Sequence, residues 1–464
     1  MDGLECSEIM LSELERTHRI DAEFYTKFNI HIAEILLKKK TQLVTECFNV
    51  SDGNHMSISE HFSENQIPYY RGGDIYNFFI EQTPMPLTIP EKVYNMPLLK
   101  RSHLQKGDIL ISIVGAIIGN IAMVSSEQKS TCSCKLAILR SKGIIPEYVA
   151  IYLKSKFGQS QIQKFRRGAG QTGLILEDFG QIQICLLSND FQLLIKEMVN
   201  KVYKMFQCSL EQYAQAEQRL LNELAMADFM PSLEKVATKS FTESFGTSGR
   251  LDAEYYQTKY DTLFAKLSAV KTYLLGDLVW IKKSVEPGSN EYLSVGIPFV
   301  RVSDLSKYGL SDPEIHLNRI PFAHMNLQPK KDTILLSKDG SVGIAYKVEK
   351  DSDIVTSGAI LHLELKTDQF LPDYLTLVLN SLIVKMQAER DAGGSIIRHW
   401  KPSEIEKVVI PWLPIDKQEQ ISYKIQESFS LRRESKELLE RAKQAVEMAI
   451  EKDEKTAMDW LSNL

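Results

Sequence analysis

Apolar residues return at steps of three and four along two long stretches of the chain. The first runs from Asp190 to about Ala227 and carries Ile195, Val199, Val202, Phe206, Leu210, Tyr213, Leu220 and Leu224. The second runs from Asp416 to about Trp460 and carries Ile421, Ile425, Phe429, Leu439, Ala442, Val446 and Ile450. That is the period of a helix with one apolar seam, and it predicts two long helices that pair in coiled-coil fashion. Glu217 and Ser435 interrupt the seam. A helix of roughly 38 residues spans about 55 Å, more than a domain needs internally, so each reads as a spacer.

Elsewhere the pattern is shorter. Ile109-Leu110-Ile111-Ser112, followed by Gly115, Gly119 and Ile121-Ala122, reads as a buried strand, a glycine turn and a return strand. Ile334-Leu335-Leu336-Ser337, then Gly340, Gly343 and Ile344-Ala345, reads the same way. Ile-Pro at 67–68 and 297–298 predicts extended chain, with loops at Arg71–Asp74 and Arg301–Asp304. Pro146-Glu147-Tyr148 and Pro372-Asp373-Tyr374 each predict the start of an amphipathic helix.

These pairs are one unit written twice. Arg19-Ile-Asp-Ala-Glu-Phe-Tyr25 recurs as Arg250-Leu-Asp-Ala-Glu-Tyr-Tyr256, an offset of 250 − 19 = 231. Ile67–Ile75 recurs as Ile297–Leu305, an offset of 230. A period this long makes each copy a domain rather than a solenoid repeat. In the opening motif Asp21 or Asp252 is expected to cap a helix, with a salt bridge and two packed rings beside it. The fold class is α+β: two repeated mixed α/β domains, at 1–186 and 237–412, separated by helical regions at 187–236 and 413–464. The two helices are expected to run antiparallel. The second then closes back onto the first domain in a nearly circular pseudo-two-fold arrangement.

Composition narrows the function. The chain of 464 residues is 44% hydrophobic and 25% charged, an ordinary globular balance. No basic or Ala-rich leader precedes Met10, and the run Ile109–Val124 is too short and too interrupted to span a bilayer, so a cytoplasmic protein without a membrane segment is expected. Net charge is −5, with 20 basic against 20 acidic residues in 1–186 and 21 against 22 in 237–412. A non-specific nucleic-acid binder would be strongly basic, so any DNA contact must sit in local patches. Six cysteines form no disulfide framework, and Cys132-Ser133-Cys134 lacks the second pair of a zinc site. The glycine turns lack the Lys-Ser/Thr of a phosphate loop. There is no Asn-Pro-Pro-aromatic, no Phe-x-Gly-x-Gly, no Walker A and no zinc-protease helix, and His55, His61 and His103 have no partner pattern. Catalytic and metal sites are therefore not expected. The residues alone describe a duplicated binding protein, for which a pure scaffold and an autonomous bipartite DNA-binding regulator stay open.

The strongest basic patches are the Gly-loosened loops Arg166-Arg167-Gly168-Ala169-Gly170-Gln171 and Arg390-Asp391-Ala392-Gly393-Gly394-Ser395, the latter continuing through Arg398-His399-Trp400-Lys401. The twin opening motifs, the twin Ile-Pro stretches and the glycine hairpins occur in the same order twice. The exit Ile410-Pro-Trp-Leu-Pro-Ile-Asp-Lys-Gln-Glu-Gln-Ile421 leads straight into the second long helix. In this the chain resembles the specificity subunit of Type I restriction–modification systems. The first copy keeps only Leu187, Gln192 and Ile195 of that exit.

The resemblance implies two target-recognition domains, each reading half of an asymmetric bipartite site in double-stranded DNA, with the helices fixing the spacer. It implies docking of two adenine methyltransferase subunits and of restriction/translocase subunits. S-adenosylmethionine, ATP and Mg would then be bound by those partners and not by this chain. Candidate DNA contacts are Arg71, Arg101, Lys135, Arg166 and Arg167 in the first domain, and Arg301, Lys338, Arg398, His399 and Lys401 in the second. Candidate helix-pairing and docking residues are Ile195, Val199, Val202, Phe206, Leu210, Ile421, Ile425, Phe429, Leu439 and Val446.

Overall fold

A computed structural model of the chain describes residues 5–17, 19–63, 66–83, 85–115, 117–168, 173–234, 236–322, 325, 327–394 and 397–463. Ala169, Gly170, Gln171 and Ser395 of the glycine loops lie outside the described residues. The chain forms two compact units, Met1–Phe206 with Arg433–Leu464, and Gln207–Arg432.

The first unit is built on a four-stranded antiparallel sheet of β1 (Phe48–Asp52), β2 (Ile109–Ser112), β3 (Ile121–Met123) and β4 (Leu136–Ser141), in the order β1-β4-β2-β3. The apolar run at 109–112 becomes a fully buried strand, and its return is in register as Ile109↔Met123 and Ile111↔Ile121. The turn between them is a hairpin, as its glycines predict: the Gly119 amide donates to the Ser112 carbonyl at 2.9 Å. Gly119 has φ +87°, a left-handed backbone that favours glycine. A smaller sheet sets Ile67–Tyr70 between Leu87–Ile89, antiparallel, and Thr131–Cys132, parallel. Cys132 is buried there and Cys134 half-buried.

The second unit repeats the plan. Its sheet is β5 (Val279–Lys283), β6 (Ile334–Ser337), β7 (Ala345–Lys347) and β8 (Ile360–Leu365), ordered β5-β8-β6-β7. Its smaller sheet sets Ile297–Val300 between His316–Leu317 and Val355–Thr356, with the same two directions. Residues 230 or so apart in sequence occupy matching rungs, which makes the duplication structural as well as textual.

Three local expectations need correction. The Asp of the opening motif caps no helix. Arg19 grips Asp21 through both guanidinium arms at 2.5 and 2.6 Å, and Arg250 grips Asp252 at 2.8 and 2.6 Å. Each carboxyl is held below its usual range chiefly by that hydrogen bond. A single 3-10 turn follows in each copy, at Ala22–Tyr25 and Ala253–Tyr256, with its two rings edge to face. The helix α1 (Lys27–Leu37) then starts from Thr26, whose hydroxyl accepts the Asn29 N–H at 3.2 Å. Second, Arg71–Asp74 and Arg301–Asp304 are not loose loops. Each is a 3-10 turn closed by its Asp, which accepts the Arg backbone N–H at 2.6 and 2.8 Å. Third, α2 (Pro146–Lys154) and α4 (Pro372–Asn380) are not amphipathic. Residues 148–153 and 373–380 are buried on every side. Their tyrosines tie each helix to the exit strand of its domain: Tyr148 Oη donates to the Cys185 carbonyl at 2.6 Å and Tyr374 Oη to the Pro411 carbonyl at 2.9 Å.

The long helices are α3 (Asn189–Glu223) and α5 (Ile415–Glu451). α3 stops earlier than the pattern suggested, where Ala225 takes φ +50° and the Met226 amide turns back to the Leu221 carbonyl at 2.8 Å. α5 stops at Glu451, and Asp453 caps a separate helix α6 (Glu454–Ser462) that carries Trp460, its carboxylate accepting the Thr456 N–H at 2.8 Å. In the first unit Ile195, Val199 and Val202 share one core with Ala442, Val446 and Ile450. In the second, Tyr213, Ala216 and Leu220 share one core with Ile421 and Ile425. Ser428 Oγ donates to the Ser209 carbonyl at 2.6 Å, and Lys417 pairs with Glu223 at 3.1 Å. The α3 number falls from 223 to 209 as the α5 number rises from 417 to 428, so the two helices run antiparallel in this unit. The expected return is found too: Arg433–Leu464 belongs to the unit that holds the first domain. Phe206 is buried, whereas Leu210, Phe429 and Leu439 are half-buried at the margins of the seam.

Candidate DNA interface

In each unit a chain of backbone hydrogen bonds lines up turns that are far apart in sequence. In the first, Tyr70, just before Arg71, accepts from the Ser133 amide at 2.9 Å. Lys135 then accepts from Ile113 at 3.0 Å, and Ile113 from Leu174 at 2.9 Å. Gly173 and Arg167 exchange both bonds at 2.8 and 3.0 Å. Gly72 packs so closely that a Cβ on it would sit 3.1 Å from the Lys135 Cβ. Arg71, Lys135 and Arg167 are thereby brought into one row. Arg101 joins it through an ion pair with Asp52, whose neighbour Asn54 donates to the Cys132 carbonyl at 2.8 Å.

The second unit builds the same row. Val300 accepts from Ser357 at 2.9 Å, Ala359 from Lys338 at 2.8 Å, and Lys338 from Trp400 at 2.8 Å. Arg398 accepts from Gly340 at 2.9 Å, and His399 and Gly393 exchange bonds at 2.7 and 3.1 Å. The rungs coincide but the chemistry does not. The lysine stands at the 135 rung in the first copy. In the second that rung is Ala359, and the lysine has moved to 338.

Most of these cations have an anion beside them. Arg167 pairs with Asp178, Lys338 with Asp339, and Lys401 approaches Glu404 at 3.8 Å. Arg71 lies 3.7 Å from Asp74, and Arg301 lies 3.8 Å from Asp304. Arg166 donates to Gln163 Oε1 at 3.1 Å. Arg398 and Lys135 are exposed. Burial is the largest influence on the Asp178 carboxyl and pushes it up; the Ile175 N–H and the Arg167 charge oppose the shift. Sequence reasoning missed the anions Asp52, Asp178 and Asp339 that position the cations. Only Asp178 had a local signal, since it closes a turn by accepting the Ile175 N–H at 3.1 Å.

Residues 268–445, most of the second unit, match the family model of the Type I restriction modification DNA specificity domain. The matched segment covers most of the second copy, and the first copy repeats its four-stranded and three-stranded sheets. DNA-sequence recognition is what such a specificity domain supplies. Solved structures with some similarity include a Type I restriction-modification S subunit from M. genitalium, at 12% identity over 89% of this chain and 94% of that one, with a TM-score of 0.39. The HsdS subunit from Thermoanaerobacter tengcongensis is similar at 15% identity over 89% and 97%, with a TM-score of 0.30. The type IIG restriction endonuclease BpuSI is similar at 12% identity over 40% and 29%, with a TM-score of 0.31. At these scores the solved structures carry no argument, and the match over residues 268–445 stands on its own. No curated protein matches the chain. Among the described residues no helix is long and apolar enough to cross a membrane.

Proposed function

We propose that this chain is the non-catalytic DNA-reading subunit of a cytoplasmic Type I restriction–modification complex. Residues 1–186 and 237–412 form its two target-recognition domains, each reading half of a bipartite site. The helix pair fixes the spacer and docks two adenine methyltransferase subunits and the restriction/translocase subunits, which bind S-adenosylmethionine, ATP and Mg. The observation that carries this reading is the row of backbone-locked turns, built twice on the same rungs, with an arginine at the first turn of each and the lysine moved from one rung to another. Fixed phosphate-binding and base-reading groups on a rigid frame are what half-site recognition needs. The near-neutral charge of each domain suits a subunit whose partners supply much of the phosphate binding.

The test is methylation mapping on DNA from cells that co-express the chain with a Type I methyltransferase subunit. A new two-part motif carrying N6-methyladenine in both halves is the expected result. An assembled complex that adds no methylation would sink the recognition role.

A further inference from the structure

We propose that His399 is the residue through which the second domain reads a base edge, an assignment that rests on the DNA-reading function above. Three features of its setting lead there. Its backbone is fixed on both sides, by the paired bonds to Gly393 and by the bond from the Trp400 amide to Lys338. Trp400 is only 1% exposed and anchors the turn in the core, while the His399 side chain is 62% exposed. The ring is fixed as well: Nδ1 lies 2.8 Å from Asp339 Oδ1, and Lys338 holds the same Asp. An ionised carboxylate only accepts, so Nδ1 carries the hydrogen and Nε2 of this exposed ring is left without one. Neutral, that nitrogen offers a lone pair to an exocyclic amino group, N6 of adenine or N4 of cytosine, in the major groove.

The first domain supplies the comparison. Its clamp has the same bonds, with Gly173 on the rung of His399 and Val114 bridged to it on the rung of Asp339. The frame is kept and the chemistry at its tip is replaced. A part needed only for stability would keep both. A frame whose tip changes from glycine and valine to a locked imidazole is suited to carrying interchangeable readout, and the two domains must read different half-sites.

The experiment uses the complex of the full chain with a methyltransferase subunit, comparing wild type, His399→Ala and His399→Gln on oligonucleotides varied one position at a time. Complex assembly is checked for each. His399→Ala is expected to lose roughly 10- to 100-fold of discrimination at one position of one half-site, with the other half-site unchanged. His399→Gln, which keeps a hydrogen-bonding group, is expected to shift the preference at that same position. A wild-type motif that neither variant alters overturns the inference alone. A loss spread evenly over all positions overturns it as well, since that is the mark of a phosphate contact or a structural role. Absence of any motif from the wild-type complex fails the recognition reading itself, and this inference with it.

Discussion

His362 is the buried base of the second domain. It sits on β8, with Nε2 2.8 Å from the Thr356 hydroxyl, and burial pushes its imidazole down to about 4, with Glu364 opposing and Lys282 adding to the shift. The unfolded chain therefore takes up this proton first. Stability is unaffected well above pH 6.5 and falls as pH drops from there toward 4, by up to about 3 kcal/mol from this residue. Urea unfolding at pH 7.5 and 4.5 should show a steeper loss for wild type than for His362→Gln; equal slopes would remove His362 as the cause. At the same scale, the candidate cations were readable as residue types but not as a group. The turns that carry Arg71, Lys135 and Arg167 are joined only by backbone bonds between distant segments, and nothing local to any of them records the others.

The helix pair shows what an apolar period records and what it omits. Ile195, Val199, Val446 and Ile421 follow the large-residue rhythm and are buried as that rhythm implies. The close approach depends on residues the rhythm passes over. Ala445 and Ala449 are 0% and 1% exposed, and Ser209 and Ser428 are both fully buried. Small side chains let the backbones come near enough for the Ser428 hydroxyl to reach the Ser209 carbonyl. Ala445→Leu should therefore overpack the first unit and cost about 1–3 kcal/mol, read as a lower thermal midpoint. An unchanged midpoint would mean the seam has room to spare. The buried Pro-Glu-Tyr and Pro-Asp-Tyr helices make the complementary point. Their polar residues suggested an exposed face, but in the second helix Gln426 of α5 donates to Asp373 at 2.7 Å and Lys347 pairs with the same Asp at 2.8 Å, so that carboxylate is satisfied inside.

For the whole molecule, the helices decide more than the domains alone. Each is about 50 Å of continuous helix, enough to bridge at least one DNA turn of about 34 Å. Removing about two turns from α3, roughly seven residues, is expected to change the unspecified spacer in the methylated motif or to abolish methylation. The same spacer at full activity would exclude a ruler role for the helix. The first unit is completed only by Arg433–Leu464, which supplies Ala442, Val446, Ile450 and Ala457 to its core. Its folding therefore depends on the last segment of the chain.

The sequence alone determined the duplication, the hairpins, the two long helices and their antiparallel return, because periodicity, glycine turns and repeated words are local or directly comparable features. The family resemblance rested on the order of those words. Tertiary structure alone decided which cations share a row, which anions hold them, and that one clamp ends in Gly173 in one copy and His399 in the other. Those relations come from hydrogen bonds between segments tens to hundreds of residues apart. The capping of α1 by Thr26 rather than Asp21 was decided the same way at short range: a carboxylate two residues from an arginine formed the stronger charge-assisted pair, and the hydroxyl was left to cap.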